Sequence, residues 1–527
     1  MDVLLVLLPL ILLSLTAGLL IAIRLLRPGF QYYWLIAAIG SLLAWFSILI
    51  LRTNIPQSIR LLEWRPEWLN LFTPELLLDR YSWSYALCLA TLTLSVVLAD
   101  VVRRPATDWS AWVGGMLLTA LGISAVLAGN LSAMILFWTA IDLVELLILL
   151  GQVRRSKSRE RVIIAFSVRL TGTFLLIWAV VSASSAEAVL GFLRITSQTS
   201  FILLFAAGLR LGVLPINQPY RREITQIHSL GTIGRMVAAA ASLILVTRTA
   251  VIGVPESMSG ILLILSGIAA VYGSFSWVNS ERALDGRLYW ILGMGAFSVA
   301  SAVRADPFAS LAWGEIAILS GGLIFLSSVR NQYIVILALA GLAGMTSLPY
   351  TPGWNTVSLY QQPSGIAFIL LALGQSLFAA GYLNFILQPW EKTNGIERWV
   401  WIVYPWGLLL LPLTHWLTSW FEWQITLSIS TLLPGIMIGL LLGVWIFIQR
   451  ELSKRPRLLD ILDKSGQNLA KFLSFHWLYQ TFWNFYFFIG RMVGLIVTIS
   501  EGDGGVLWAL LILVLFIAIL SRSLAGG

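Results

Sequence analysis

Runs of about twenty apolar residues recur from one end of this sequence to the other, and they constrain the fold more than any other feature. A run of that length crosses the hydrocarbon of a bilayer as a helix, because backbone exposed to lipid must satisfy its own hydrogen bonds. Of the 527 residues, 58% are hydrophobic and 11% are charged, too little polar surface to cover a water-soluble core of this size. The expected fold class is an all-α polytopic membrane protein. The first 26 residues have no basic leading region and no small-residue cleavage site, so they read as helix one and not as a signal peptide.

Candidate helices fall near 3–24, 32–51, 81–99, 110–129, 131–152, 162–183, 200–214, 228–247, 258–278, 287–303, 308–329, 331–349, 364–387, 399–420 and 425–449. Beyond them lie an amphipathic segment at 450–500 and a terminal helix at 506–521, for a total of 15–17 transmembrane helices. Residues 476–499 are aromatic-rich and read equally as an in-plane helix or a span. The loops after odd-numbered helices hold the basic residues: Arg27; Arg103 and Arg104; the 154–161 cluster; Arg221 and Arg222; Arg282 and Arg287; Arg330; Lys392 and Arg398. The even loops are poorer, and the long 52–80 loop balances its arginines with acids. Positive loops stay cytoplasmic, which puts the N-terminus and the 52–80 loop outside a bacterial-type inner membrane. The chain then divides into helices one to three (1–100), a first five-helix block (110–248), a second (258–387), helices fourteen and fifteen (399–449), the amphipathic segment and the terminal helix.

Several chemistries have no residues to support them. Cys88 is the single cysteine, and His228, His415 and His476 lie far apart, so no metal-ligand spacing occurs. No P-loop and no GxGxxG is present, and no cofactor is implied. The formal net charge of +9 reads as topology and not as a nucleic-acid footprint.

Ionisable side chains at membrane depth are costly and are candidates for function by default. Asp142 and Glu145 stand three apart in "LFWTAIDLVELLILLG", on one helix face. Arg169, Arg210, Arg235 and Glu315 complete the set. Two segments carry breaks: "GLRLGVLP" (208–215) and "GLAGMTSLP" (341–349) followed by "YTPGW", with Pro215, Pro349 and Pro352 as the breaking residues. Each closes a block of five helices. Paired interrupted helices point to two inverted repeats around an ion path, with broken helices over 208–220 and 341–354. Where the first break has Arg210, the second has Ala343 or Gly344.

Over about 75–500 the chain resembles the antiporter-like subunits of respiratory complex I, of membrane hydrogenases and of multisubunit cation/proton antiporters. "LLLDRYSWSYAL" (76–87) is similar to the start of the family's helix three, with Asp79 at its aspartate. "ISAVLAGNLSAMILFW" (123–138) resembles the entry to helix five, with Asn130 at its asparagine. "GLRLGVLPINQPY" (208–220) looks like broken helix seven, with Arg210 at or next to its lysine and Asn217 at its histidine. "TIGRMVAAAASLILVTR" (232–248), "SERALDGRLYWILGMGAF" (280–297) and "LAGMTSLPYTPGW" (342–354) look like helices eight, ten and twelve. The resemblance implies proton movement along buried, alternating acidic and basic groups, within a complex of several membrane subunits.

The departures from that pattern are specific. Thr139 follows Trp138 where the family has its glutamate, and Asp142 lies about one turn further on. Arginine replaces the helix-seven lysine and cannot release a proton. Thr232, Gly321 and Val357 fall at three further ionisable positions of the family. Three readings follow. The chain takes part in proton or cation translocation through Asp142 or Glu145 with Arg210 and Arg235; or it is a non-pumping scaffold of the same fold; or it is the membrane partner of an inorganic-carbon hydration or uptake complex whose metal the partner holds. Expected partners are other membrane subunits and lipid.

Overall fold

The computed structural model describes residues 2–60, 73–103, 109–152, 156–182, 192, 195–217, 228–280, 282–327, 332–361, 365–388, 397–423 and 427–452, with short stretches between 480 and 492 and at 510–517. The chain forms two compact units, Met1–Gly466 and Gln467–Gly527. In the second, the described residues are helical and exposed. Most of 450–500, and the ends of the expected helix at 506–521, fall outside the described residues.

The first unit is a helical bundle. Among the described residues, eleven helices are long and apolar enough to cross a membrane, and four shorter apolar helices join them. All fifteen helices expected up to residue 449 therefore have counterparts, and the chain is an integral membrane protein. The helices that place the site are α1 (Asp2–Leu26), α2 (Tyr33–Leu51), α3 (Arg80–Ala99), α4 (Trp109–Val126), α5 (Leu131–Gln152), α6 (Ser156–Ser182), α7 (Ser197–Leu211) and α8 (His228–Ile252). The second part contains α9 (Glu256–Val278), α10 (Arg287–Val303), α11 (Pro307–Glu315), α12 (Gly321–Leu326), α13 (Gln332–Ala343), α14 (Ser358–Gln361), α15 (Ile366–Leu387), α16 (Val400–Glu422) and α17 (Ile429–Leu452).

The 52–80 segment is more than a loop. Its ends form an antiparallel hairpin, β1 (Gln57–Arg60) with β2 (Glu75–Leu78). The hairpin delivers Asp79 to the start of α3. There its side chain accepts from the Ser82 amide, and the Ser82 hydroxyl accepts from the Asp79 amide. This reciprocal cap satisfies two donors that would otherwise be orphaned. Asn130 does similar work at α5: its Oδ1 accepts from the Ala133 amide and its Nδ2 donates to the Thr73 carbonyl. The two positions matched to the family's aspartate and asparagine are thus a cap and a strap that tie helix starts to the hairpin.

Helix eleven is not continuous. Residues Ile316–Ser320 form one π-helical turn between α11 and α12, directly after Glu315. Widening the helix redirects its carbonyls. The Ala317 carbonyl accepts from the Trp290 indole at 2.9 Å, and the Ser320 carbonyl from the Tyr382 hydroxyl at 3.1 Å. Such turns often sit at functional sites.

Both interrupted segments are present, and the helix ends are set by residues before the prolines. α7 stops at Leu211, three residues short of the expected 214. Gly212 takes the left-handed conformation (φ +80°), and its amide donates to the Gly208 and Leu209 carbonyls, a glycine-type C-cap. Pro215 lies in the turn that follows. α13 stops at Ala343, six residues before Pro349, and Pro352 opens a 3-10 turn over Pro352–Val357.

Candidate functional site

α5, α6, α7 and α8 pack in succession, α5 on α6, α6 on α7 and α7 on α8. Arg210 sits in the last turn of α7, where the helix C-terminus favours a cation. Its guanidinium grips Asp142 with two hydrogen bonds, Nη1 to Oδ2 at 2.5 Å and Nη2 to Oδ1 at 2.8 Å. Nη1 also donates to the Arg169 carbonyl at 3.2 Å. The planar group lies over the Trp138 ring, 4.2 Å from its centroid. Trp138 and Asp142 are one turn apart on α5, so a single helix face supplies both the ring beneath the guanidinium and the carboxylate beside it. The Arg210 side chain is 1% exposed and Asp142 is 2%. Gly172 on α6 leaves room for the arginine stem, since a Cβ there would lie 2.7 Å from Arg210 Cγ.

Arg169 extends the pairing. Its Nη1 donates to Glu145 Oε2 and lies 3.7 Å from Asp142 Oδ1. Asp142, Glu145, Arg169 and Arg210 therefore form one buried lattice of two acids and two arginines. Arg235, 8% exposed, lines two cavities beside it. One, of about 60 Å³, is also lined by Arg169, Arg210 and Asn217. The other, of about 20 Å³, touches Asp142, Glu145 and Arg169. Each has charged side chains in its otherwise mostly apolar lining and is large enough to hold water. A carboxylate next to both an arginine and a water-sized space can exchange a proton while the arginine cannot.

Asn217 closes the turn after α7. Its Nδ2 donates to the Leu209 and Pro215 carbonyls, and its amide to the Gly212 carbonyl. Thr232 accepts from Arg287 at 3.1 Å. Of the positions matched to ionisable residues in the second half, Gly321 has no room for one, since a Cβ there would run into Trp290 Nε1, and Val357 is fully buried.

Glu315 does not join the lattice. It is 1% exposed, and its Oε2 accepts from the Thr418 hydroxyl of α16 at 3.1 Å. Further along α16, Glu422 lies 3.5 Å from Arg80 and 3.9 Å from Arg52. In sequence, His415 stands out only as a candidate metal ligand and Glu422 does not stand out at all. The signal that identifies them is the 415, 418, 422 spacing on one face of an apolar helix. Arg248 was also missed. It donates to the Ala128 carbonyl and lies 3.9 Å from Asp79, tying α8 to the hairpin end of the bundle.

No protein-family model matches the sequence, and no curated protein matches it in sequence. Solved structures match it in shape. A chain of the Mrp complex from Dietzia sp. DQ12-45-1b superposes with a TM-score of 0.76 at 13% identity, covering 98% of this chain and 63% of that one. This chain thus spans just under two thirds of that relative's length. A chain of the membrane-bound sulfane sulfur reductase, an archaeal respiratory membrane complex, gives 0.64 at 13% identity, covering 97% of this chain and 99% of that one. A chain of respiratory complex I from Thermus thermophilus gives 0.61 at 16% identity, covering 83% of this chain and 100% of that one. The fold of this chain is that of the antiporter-like membrane subunits its motifs resemble.

Proposed function

We propose that this chain is an antiporter-like subunit of a multisubunit membrane complex and takes part in proton (or cation) translocation driven by its partners. The observation that carries this reading is the arginine–carboxylate lattice beside the break of α7, with one water-sized cavity against both acids. Asp142 and Glu145 are the acids on which the proton would be carried, and Arg210 at the end of α7 and Arg169 on α6 are the counter-charges held against them. Arg210 cannot carry the proton itself. The membrane is a bacterial-type inner membrane with the N-terminus outside, following the loop charges.

A second reading, a scaffold of the same fold that does not pump, is favoured by one observation. The two-point grip of Arg210 on Asp142, stacked on Trp138, serves as well to lock α5 against α7 as to gate a proton. The experiment that separates the two is proton translocation by the intact complex in sealed vesicles carrying D142N and E145Q together. Transport is expected to be abolished. Transport at the wild-type ratio would leave the scaffold.

A further inference from the structure

In sequence the first break has Arg210 and the second has nothing charged. Packing supplies an ionisable group there from another helix. A Cβ on Gly344, one residue past the end of α13, would lie 2.8 Å from His415 Cε1 and 2.9 Å from Nδ1. His415 on α16 therefore lies against the second break, 2% exposed, and among the described residues its Nε2 has no hydrogen-bond partner.

His415, Thr418 and Glu422 follow each other at helical spacing along one face of α16. Thr418 donates to Glu315, whose other oxygen, Oε1, is buried without a partner. No cation pairs with Glu315 among the described residues. It faces Ser84, Tyr85 and Cys88 of α3 and senses Glu422 along α16. Glu422 in turn faces Tyr81, Arg80 and Arg52. The Arg52 and Arg80 side chains are 29% and 42% exposed, at the end of α2 and the start of α3, beside the hairpin. Polar groups thus lead from water at the hairpin face, past Glu422, to two partnerless atoms deep in the bundle. The π-helical turn begins at the next residue after Glu315.

We propose that Glu315 and His415 form a second proton-binding site, assembled by α11 and α16 at the second break and reached from the hairpin face past Glu422. A single proton is exchanged, taken from water at the Arg52–Arg80 end and bound on Glu315 Oε1 or His415 Nε2. A full charge left on Glu315 is uncompensated, and such a group at membrane depth is costly to keep for packing alone. The site goes beyond the Asp142 reading and does not depend on it.

Infrared difference spectroscopy of the full-length protein in lipid nanodiscs tests the proposal. The wild type is expected to show the C=O stretch of a protonated carboxyl that shifts in D₂O. The E315Q variant should lose that band. E315D should keep one at a displaced frequency, which separates loss of the group from loss of the fold. E422Q should keep the band and slow its exchange with D₂O. D142N should leave it unchanged, so failure of the Asp142 reading shows in transport and failure of this one shows in the Glu315 band. A wild-type spectrum without an exchangeable carboxyl band, or a band unaffected by E315Q, overturns the site.

Discussion

Arg210 combines three roles that a lysine cannot fill together. Its planar fork matches both oxygens of Asp142, its face rests on Trp138, and its charge never leaves. The pair is buried, so the attraction between its members largely offsets the cost of removing both from water. Removing Arg210 leaves Asp142 buried with only the more distant Arg169, at 3.7 Å, against it. R210L is expected to lower the unfolding free energy of the purified protein by about 3–5 kcal/mol. The double variant D142L/R210L should recover most of that loss, because the stranded carboxylate goes with the guanidinium. A denaturation series on the two variants checks this. Equal losses in both would mean that packing of the arginine stem, and not the ion pair, sets the stability here.

At the scale of elements, periodicity and charge locate the helices well, because burial in lipid needs long uninterrupted apolar runs. The same logic misplaces the breaks. Proline draws attention at 215 and 349, yet α7 and α13 end earlier, at Leu211 and Ala343, each followed by a glycine. The Asp142 neighbourhood was legible because its members lie on single helices at telling positions: an acid pair three apart, and an arginine just before a break. The approach of α16 to Glu315 and to the second break was not, since α11 and α16 are about one hundred residues apart in sequence. Only the packed bundle brings His415 to Gly344. The π-helical turn was equally invisible, because "IAILSGG" has the pattern of any apolar helix. Gly212 carries an element-scale prediction. A Cβ there would sit at a positive φ and 2.9 Å from the Asn217 carbonyl oxygen. G212A is expected to cost about 1–2 kcal/mol and to loosen the turn that holds Asn217. Amide hydrogen exchange at Val213 and Asn217 should rise in that variant while α8 stays protected.

For the whole molecule, the two ends of the bundle differ in kind. One end has the hairpin, the caps at Asp79 and Asn130, and the Glu422–Arg52–Arg80 group. α5 starts at that end and runs 22 residues, about 33 Å, to the opposite one, where α6 begins in the basic 154–161 segment. The lattice around Asp142 and the site around Glu315 thus lie between a mixed-charge end and a basic end. A path joining them would give any translocated proton a direction, and the direction depends on which end faces the cytoplasm. The chain is well suited to deciding this, because its one cysteine, Cys88, is buried and gives no background to a thiol reagent. Ser58 on β1 and Glu160 near the start of α6 are both exposed, on opposite ends. A membrane-impermeant maleimide added to intact cells is expected to label S58C at once. E160C should react only after the membrane is opened, as the excess of Lys and Arg in its loop predicts. The reverse pattern would invert the orientation, and the Glu315 site would then draw its protons from the cytoplasm instead of opening to the outside.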